Sequence, residues 1–153
     1  MLKNFAALAT VVFLAAVPAA AGAGDLSVTG AVMTPLHLTP GALRAMPATE
    51  VVFTGKQGGT YKGVLLYVLL DKASLKDKSG KNAFLQHTIM VTGSDGYAAA
   101  LAVGEFDPNY EAKTVILAYD IDGRPLRDGY RLVVPGEKEG GRQVHDVVKI
   151  DVQ

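Results

Sequence analysis

The sequence predicts a mixed α+β fold that is mainly β, folded as one domain. Three observations predict it. Short stretches of alternating or β-branched residues recur along the chain, separated by glycine, proline and aspartate turn signals. Only two segments carry helical spacing, and both are short. The 153 residues hold no internal repeat and no break in composition, and that length suits one domain of roughly 100–200 residues.

The elements follow in order. Residues 1–23 read as an export signal: Lys3 supplies a positive start, Phe5 to Val17 is almost purely apolar, Pro18 ends the run, and Ala19 to Ala23 offers small residues for cleavage. The run is shorter than the ~20 residues a membrane-spanning helix needs. Cleavage is expected after Ala23 or nearby. It would leave residues 24–153 as a periplasmic or secreted domain with no membrane span.

Leu26–Val32 alternates and reads as a strand, as does the short piece Leu36–Leu38. Thr39 then caps a one- to two-turn helix with Pro40 at its first position, Leu43 and Met46 inside, and Pro47 as its stop. Val51–Thr54 is a strand, Gly55–Gly59 a glycine-rich hairpin turn, and Thr60–Lys62 the returning strand. Val64, Leu65, Val68 and Leu69 recur at helical spacing and predict a second helix of two to three turns. Leu75 to Asn82 is a polar loop.

His87–Thr92 is read as a strand with His87, Ile89 and Val91 outward. Ser94–Asp95–Gly96 turns it into Tyr97–Val103. Phe106–Tyr110 breaks the pattern. Val115–Tyr119 is a strand, Asp122–Gly123 the strongest hairpin dipeptide, and Tyr130–Val134 another strand. Pro135–Gly136 turns the chain, and Val144–Val152 is the last strand.

Composition excludes several functions. The 15 basic and 15 acidic side chains balance, which argues against a nucleic-acid binder working by bulk charge. There is no cysteine, hence no disulfide, iron–sulfur cluster, cysteine-ligated zinc or thiol nucleophile. His37, His87 and His145 show no metal-pair spacing, and Gly55–Gly59 lacks the Lys-Ser/Thr that would make it a phosphate loop.

The order of motifs resembles the molybdopterin-binding oxidoreductase domain of the sulfite oxidase superfamily, in a small stand-alone form. The pieces are Leu38–Leu43, Tyr61–Leu66, Val91–Tyr97, Leu117–Tyr119, Asp122–Leu126, Arg131–Gly136 and Gly141–Val144. Together they span roughly residues 26–152. The resemblance implies a sulfite-oxidase-type fold and a molybdopterin cofactor whose metal is held by one protein cysteine. Family enzymes carry that cysteine in the region between Phe53 and Tyr61. Here the region reads Thr-Gly-Lys-Gln-Gly-Gly-Thr, with no soft thiolate donor.

Six residues are candidates for cofactor or ligand binding. Ser94, Asp95 and Tyr97 could face a pterin-like ring; the competing reading is an Asx turn joining two strands. Arg131 and Arg142 stand out from a basic run that also holds Arg124, Arg127, Lys138 and Lys149, and an arginine fork suits an anionic group. The competing reading has Asp122, Asp128, Glu137 and Glu139 neutralise that run. His145 stands where the family often shows lysine. No catalytic residue and no metal ligand is assigned. The expected role is a non-catalytic module binding a small anion or a periplasmic protein partner. The alternative is a redox enzyme holding molybdopterin without a thiolate, in a pocket lined by Arg131, Arg142 and His145.

Overall fold

The computed structural model describes residues 23–76 and 79–153, so nearly all of the expected export signal lies outside the described residues. Two sheets dominate. The first is built from β1 (Leu26–Gly30), β2 (Leu36–Leu38), β5 (Thr88–Gly93), β6 (Ala98–Ala102) and β10 (Val147–Val152), in the order β2-β1-β10-β5-β6. Its β1–β10 pair is parallel and joins the two ends of the domain, with Val28 opposite Ile150. The second sheet has β3 (Thr49–Phe53), β4 (Gly59–Leu65), β7 (Ile116–Ile121) and β8 (Arg124–Pro125) in that order, with β9 (Arg131–Val133) also paired to β7.

The helices are short: α1 (Pro40–Arg44), α2 (Leu66–Ala73) and α3 (Val103–Phe106), with a 3₁₀ turn at Ala83–Gln86. The expected cap of α1 is present, the Thr39 hydroxyl accepting from the Ala42 amide at 3.2 Å. Among the described residues no helix is long and apolar enough to cross a membrane.

The main core joins both sheets to α2, through Val28, Val64, Leu69, Ile89, Leu117 and Ile150 among others. Burying each such side chain contributes roughly 1.5–3 kcal/mol. A second cluster of Val51, Phe53, Tyr61, Ile116, Ala118 and Val133 covers the other face of the second sheet. β7 is therefore apolar on both faces, with Leu117 and Tyr119 in one cluster and Ile116 and Ala118 in the other.

Three local expectations are corrected. Val64 and Leu65 belong to β4, because they pair with Leu117 and Ile116 of β7, and α2 begins only at Leu66. A short apolar run fits a buried strand and a helix equally well until its ladder partner is known. His87, Ile89 and Val91 point inward, all at most 1% exposed, because that side of β5 packs on the main core. The last strand starts at Val147 instead of Val144: Asp146 has φ 44°, and Val144 instead accepts from the Leu132 amide through its carbonyl at 2.9 Å.

Between β8 and β9 the chain makes a sharp bend at Gly129, whose φ is 75°. A Cβ there would lie 2.1 Å from a carboxylate oxygen of Asp146. Only glycine allows both the backbone angle and this approach. The bend brings Asp128 and Arg131 against the segment around His145 and Asp146.

Candidate functional site

Arg131 is the centre of the site. It lies on β9, is 8% exposed, and is surrounded by groups from three separate stretches of chain. Its Nη2 donates to Asp128 Oδ2 at 2.7 Å. Its Nη1 donates to the Tyr61 hydroxyl at 2.9 Å and to Gln57 Oε1 at 3.3 Å. The Tyr61 hydroxyl in turn donates to the Gln57 carbonyl at 2.8 Å. His145 Nδ1 sits 2.6 Å from the same Asp128 oxygen and 3.1 Å from Arg131 Nη2. The carboxylate can only accept, so the short contact assigns the ring proton to Nδ1. Arg131 Nε is buried without a protein partner.

Gln57 holds a positive φ of 63° in the β3–β4 turn. The glycine-rich hairpin turn thus folds down over Arg131. This is the region where the resemblance places the metal-binding cysteine. Nothing in it offers a soft donor. Gln57 is spent on Arg131 and Tyr61. Gly55 admits no side chain, since a Cβ would lie 2.6 Å from the Phe53 ring and 2.9 Å from the Lys138 carbonyl. The residues present do not fit a thiolate-ligated molybdenum.

Beside Arg131 opens a cleft of about 610 Å³, lined by Asp122, Arg124, Leu126, Arg127 and Asp128 among others. Arg124 and Arg127 are exposed on its wall and form no ion pair among the described residues. Asp122 directs one oxygen to the Thr60 amide at 2.8 Å, and Asp128 is engaged with Arg131 and His145. The two exposed guanidiniums are therefore the groups open to a ligand.

The other candidates lie as follows. The Ser94 hydroxyl donates to the Asp146 carboxylate, and its amide donates to the Asp146 carbonyl at 2.9 Å. Ser94 thereby braces the segment that carries His145. Asp95 accepts from the Tyr97 amide at 2.9 Å, which is the Asx turn. The half-exposed Tyr97 donates its hydroxyl to the Gly141 carbonyl. Arg142 stands apart from Arg131 and His145. Its Nε donates to Glu137 at 2.6 Å, and its Nη1 donates to both oxygens of Glu105 at 3.0 and 3.1 Å. Burial opposes its charge, but the two carboxylates hold its pKa above the ordinary value. Among the described residues Arg142 shares no hydrogen bond or ion pair with Arg131 or His145.

Sequence reasoning named Asp128 only as a neutralising neighbour and missed Gln57 and Tyr61 as partners of Arg131. The Tyr61–Arg131 pair is separated by 70 positions, and no local signal marks it. Among the described residues no group of three or more metal-binding side chains gathers.

The ion pairs make stability depend on acid. Burial alone would raise the Asp128 pKa, but hydrogen bonds from Arg131 and His145 and the charge of Arg131 hold it below the ordinary 3.8. Glu105 behaves alike: burial raises it, and the Ala102 amide, Arg142 and Lys113 bring it below the ordinary 4.5. A depressed carboxylate stabilises the fold above its unfolded value and loses that contribution as pH falls through its folded value. Unfolding free energy, measured by urea titration followed by circular dichroism, is therefore expected to fall below pH 4.5. The Asp128→Asn variant should show a shallower decline.

The family model described as "Oxidoreductase molybdopterin binding domain" matches residues 15–153. No curated protein matches the chain in sequence. Among solved structures the fold is similar to that of the sulfane dehydrogenase SoxCD from Paracoccus pantotrophus, with a TM-score of 0.69 and 23% identity. The match covers 84% of this chain and 38% of that one, so this chain spans well under half of its structural relative.

Proposed function

The chain belongs to the oxidoreductase molybdopterin-binding domain family, and from that premise we propose that it is an exported, non-catalytic member that binds a small anion in the cleft beside Arg131. One observation carries the reading. Arg124 and Arg127 stand exposed on the wall of that cleft, unpaired among the described residues, next to a third arginine held rigidly by its partners. Guanidinium forks recognise phosphate or carboxylate oxygens in pairs. The chain has no thiolate to serve as the metal ligand that the resemblance implies, while it has the family's fold. Export is supported by the apolar N-terminal run and its small-residue exit.

In this reading Arg124 and Arg127 contact the anion, Arg131 sets the floor of the site, and Asp128 with His145 holds Arg131 in place. The test is a calorimetric titration of the chain with pyrophosphate. Saturable binding is expected, weakened at least tenfold in the Arg124→Ala/Arg127→Ala variant, since each hydrogen bond to a charged group is worth about 1.5–3 kcal/mol. Equal binding by both proteins would refute the assignment of the cleft.

A further inference from the structure

We propose that β3 is an interface between two copies of this chain, paired antiparallel about a two-fold axis at Val52, so that the second sheets of both copies join into one. β3 ends that sheet and pairs only with β4. Every second residue of such an edge turns its amide and carbonyl away from the sheet. Among the described residues, no backbone hydrogen bond reaches β3 from outside its ladder with β4. The proposal stands independently of the anion reading.

Natural edges are blunted by short length, proline, lysine or a bulge. The opposite edge of the same sheet, β8, is two residues long and contains Pro125. In the first sheet, the edge strand β2 has three residues. β3 has five, Thr49 to Phe53, in unbroken register with β4 and with none of these devices. Val52 stands out from it, 65% exposed, with the exposed Glu50 and Thr54 on either side. The remaining edge, β6, is also regular, but its exposed residues are Ala98, Ala100 and Ala102, whose methyl groups give a partner little to hold its register.

The strand matches itself, which is why the occupant is a second copy. Two copies of one strand pair antiparallel about a residue that then faces its own twin, because only then do outward amides and side-chain faces coincide. About Val52, the two Val52 side chains cover each other on the exposed face. On the buried face Val51 meets Phe53, which extends the cluster of Val51, Phe53 and Tyr61 across the axis. Glu50, the one charged residue of β3, then faces Thr54, with Lys56 just beyond in the turn. No like charges are opposed, and β-branched and aromatic cross-strand pairs stabilise such a ladder. An axis at Val51 would set Glu50 against Val52 and leave the apolar surface beside a charge.

Sedimentation equilibrium of the purified protein is expected to show the mass rising from one chain to two with concentration. Val52→Lys places like charges face to face on the axis and should weaken the dimer at least about fivefold. The residue is exposed, so Tm should stay near the parent value. The chain has no cysteine, so single cysteines report the register. In Val52→Cys the twin Cβ atoms lie about 4.5–5.5 Å apart, close enough for a disulfide. In Glu50→Cys the twins are four residues out of step, roughly 13 Å apart. Val52→Cys should therefore cross-link under diamide far faster than Glu50→Cys, or than Ala100→Cys on β6. A single-chain mass up to millimolar protein, as expected if the edge takes a strand of another protein instead, would overturn the proposal. So would a dimer undiminished in Val52→Lys, or equal cross-linking of the three cysteine variants.

Discussion

Arg131→Met is expected to lower the unfolding free energy by about 2–4 kcal/mol and to abolish pyrophosphate binding. The methionine fills a similar volume, so the loss comes from the groups left behind. Asp128, the Tyr61 hydroxyl and Gln57 Oε1 all lose their guanidinium partner at once. Removing one side of a buried ion pair typically costs about 3–5 kcal/mol. Asp128 keeps 40% of its side chain exposed, which softens the penalty through solvent screening. Tyr61 is fully buried and gains no water in exchange. Anion binding fails because the β3–β4 turn and the Asp128 segment lose their common anchor, and the wall carrying Arg124 and Arg127 loses its shape. Urea unfolding and calorimetry check both halves. A change below about 1 kcal/mol would show that the cluster is a solvated surface feature.

Leu117→Ala is expected to lower stability by about 3–4 kcal/mol without removing any polar contact of the site. Leu117 is fully buried on β7, with β4 on one side and β9 on the other. The surroundings have little room to collapse into the gap. Gly63 already packs so close that a Cβ there would lie 2.1 Å from the Leu117 carbonyl. The cavity therefore persists, and its cost adds to the lost transfer free energy. Thermal or urea unfolding measures it. Once folded, this variant should bind pyrophosphate like the parent, in contrast to Arg131→Met.

Much of the fold was legible in the chain because its local signals are strong. Thr39–Pro40 starts α1 where a cap and a first-turn proline predict it. Ser94–Asp95–Gly96 makes the turn between β5 and β6, and its side-chain bond to the Tyr97 amide is the Asx geometry. The ordered motifs pointed to the family that the comparisons show. Less visible were features decided by distant partners. Val64 and Leu65 carry a helix-like pattern but become strand because β7 offers a ladder. Ile89 and Val91 alternate correctly, yet alternation alone does not say which side meets the core.

The candidate site was legible only in part, for the same reason. Arg131 and Arg142 look equivalent in sequence, each in a basic stretch beside acids. Tertiary placement separates them. Arg142 is consumed by Glu137, five residues away, and by Glu105, thirty-seven away. Among the described residues Arg131 has only Asp128 as an acidic partner, and it takes neutral oxygens from Gln57 and Tyr61, which the hairpin turn carries in from far along the chain. Arg124 and Arg127, without an ion-pair partner among the described residues, follow the Asp122–Gly123 turn, whose sequence signal concerns the backbone alone.

This member of the family combines the fold with an arginine-lined cleft, and its chain offers no thiolate to a metal. Molybdenum and pterin content of the protein purified from its native host is the decisive measurement. Far less than one molybdenum per chain and no oxidoreductase turnover are expected. One molybdenum per chain together with turnover would overturn the proposed function.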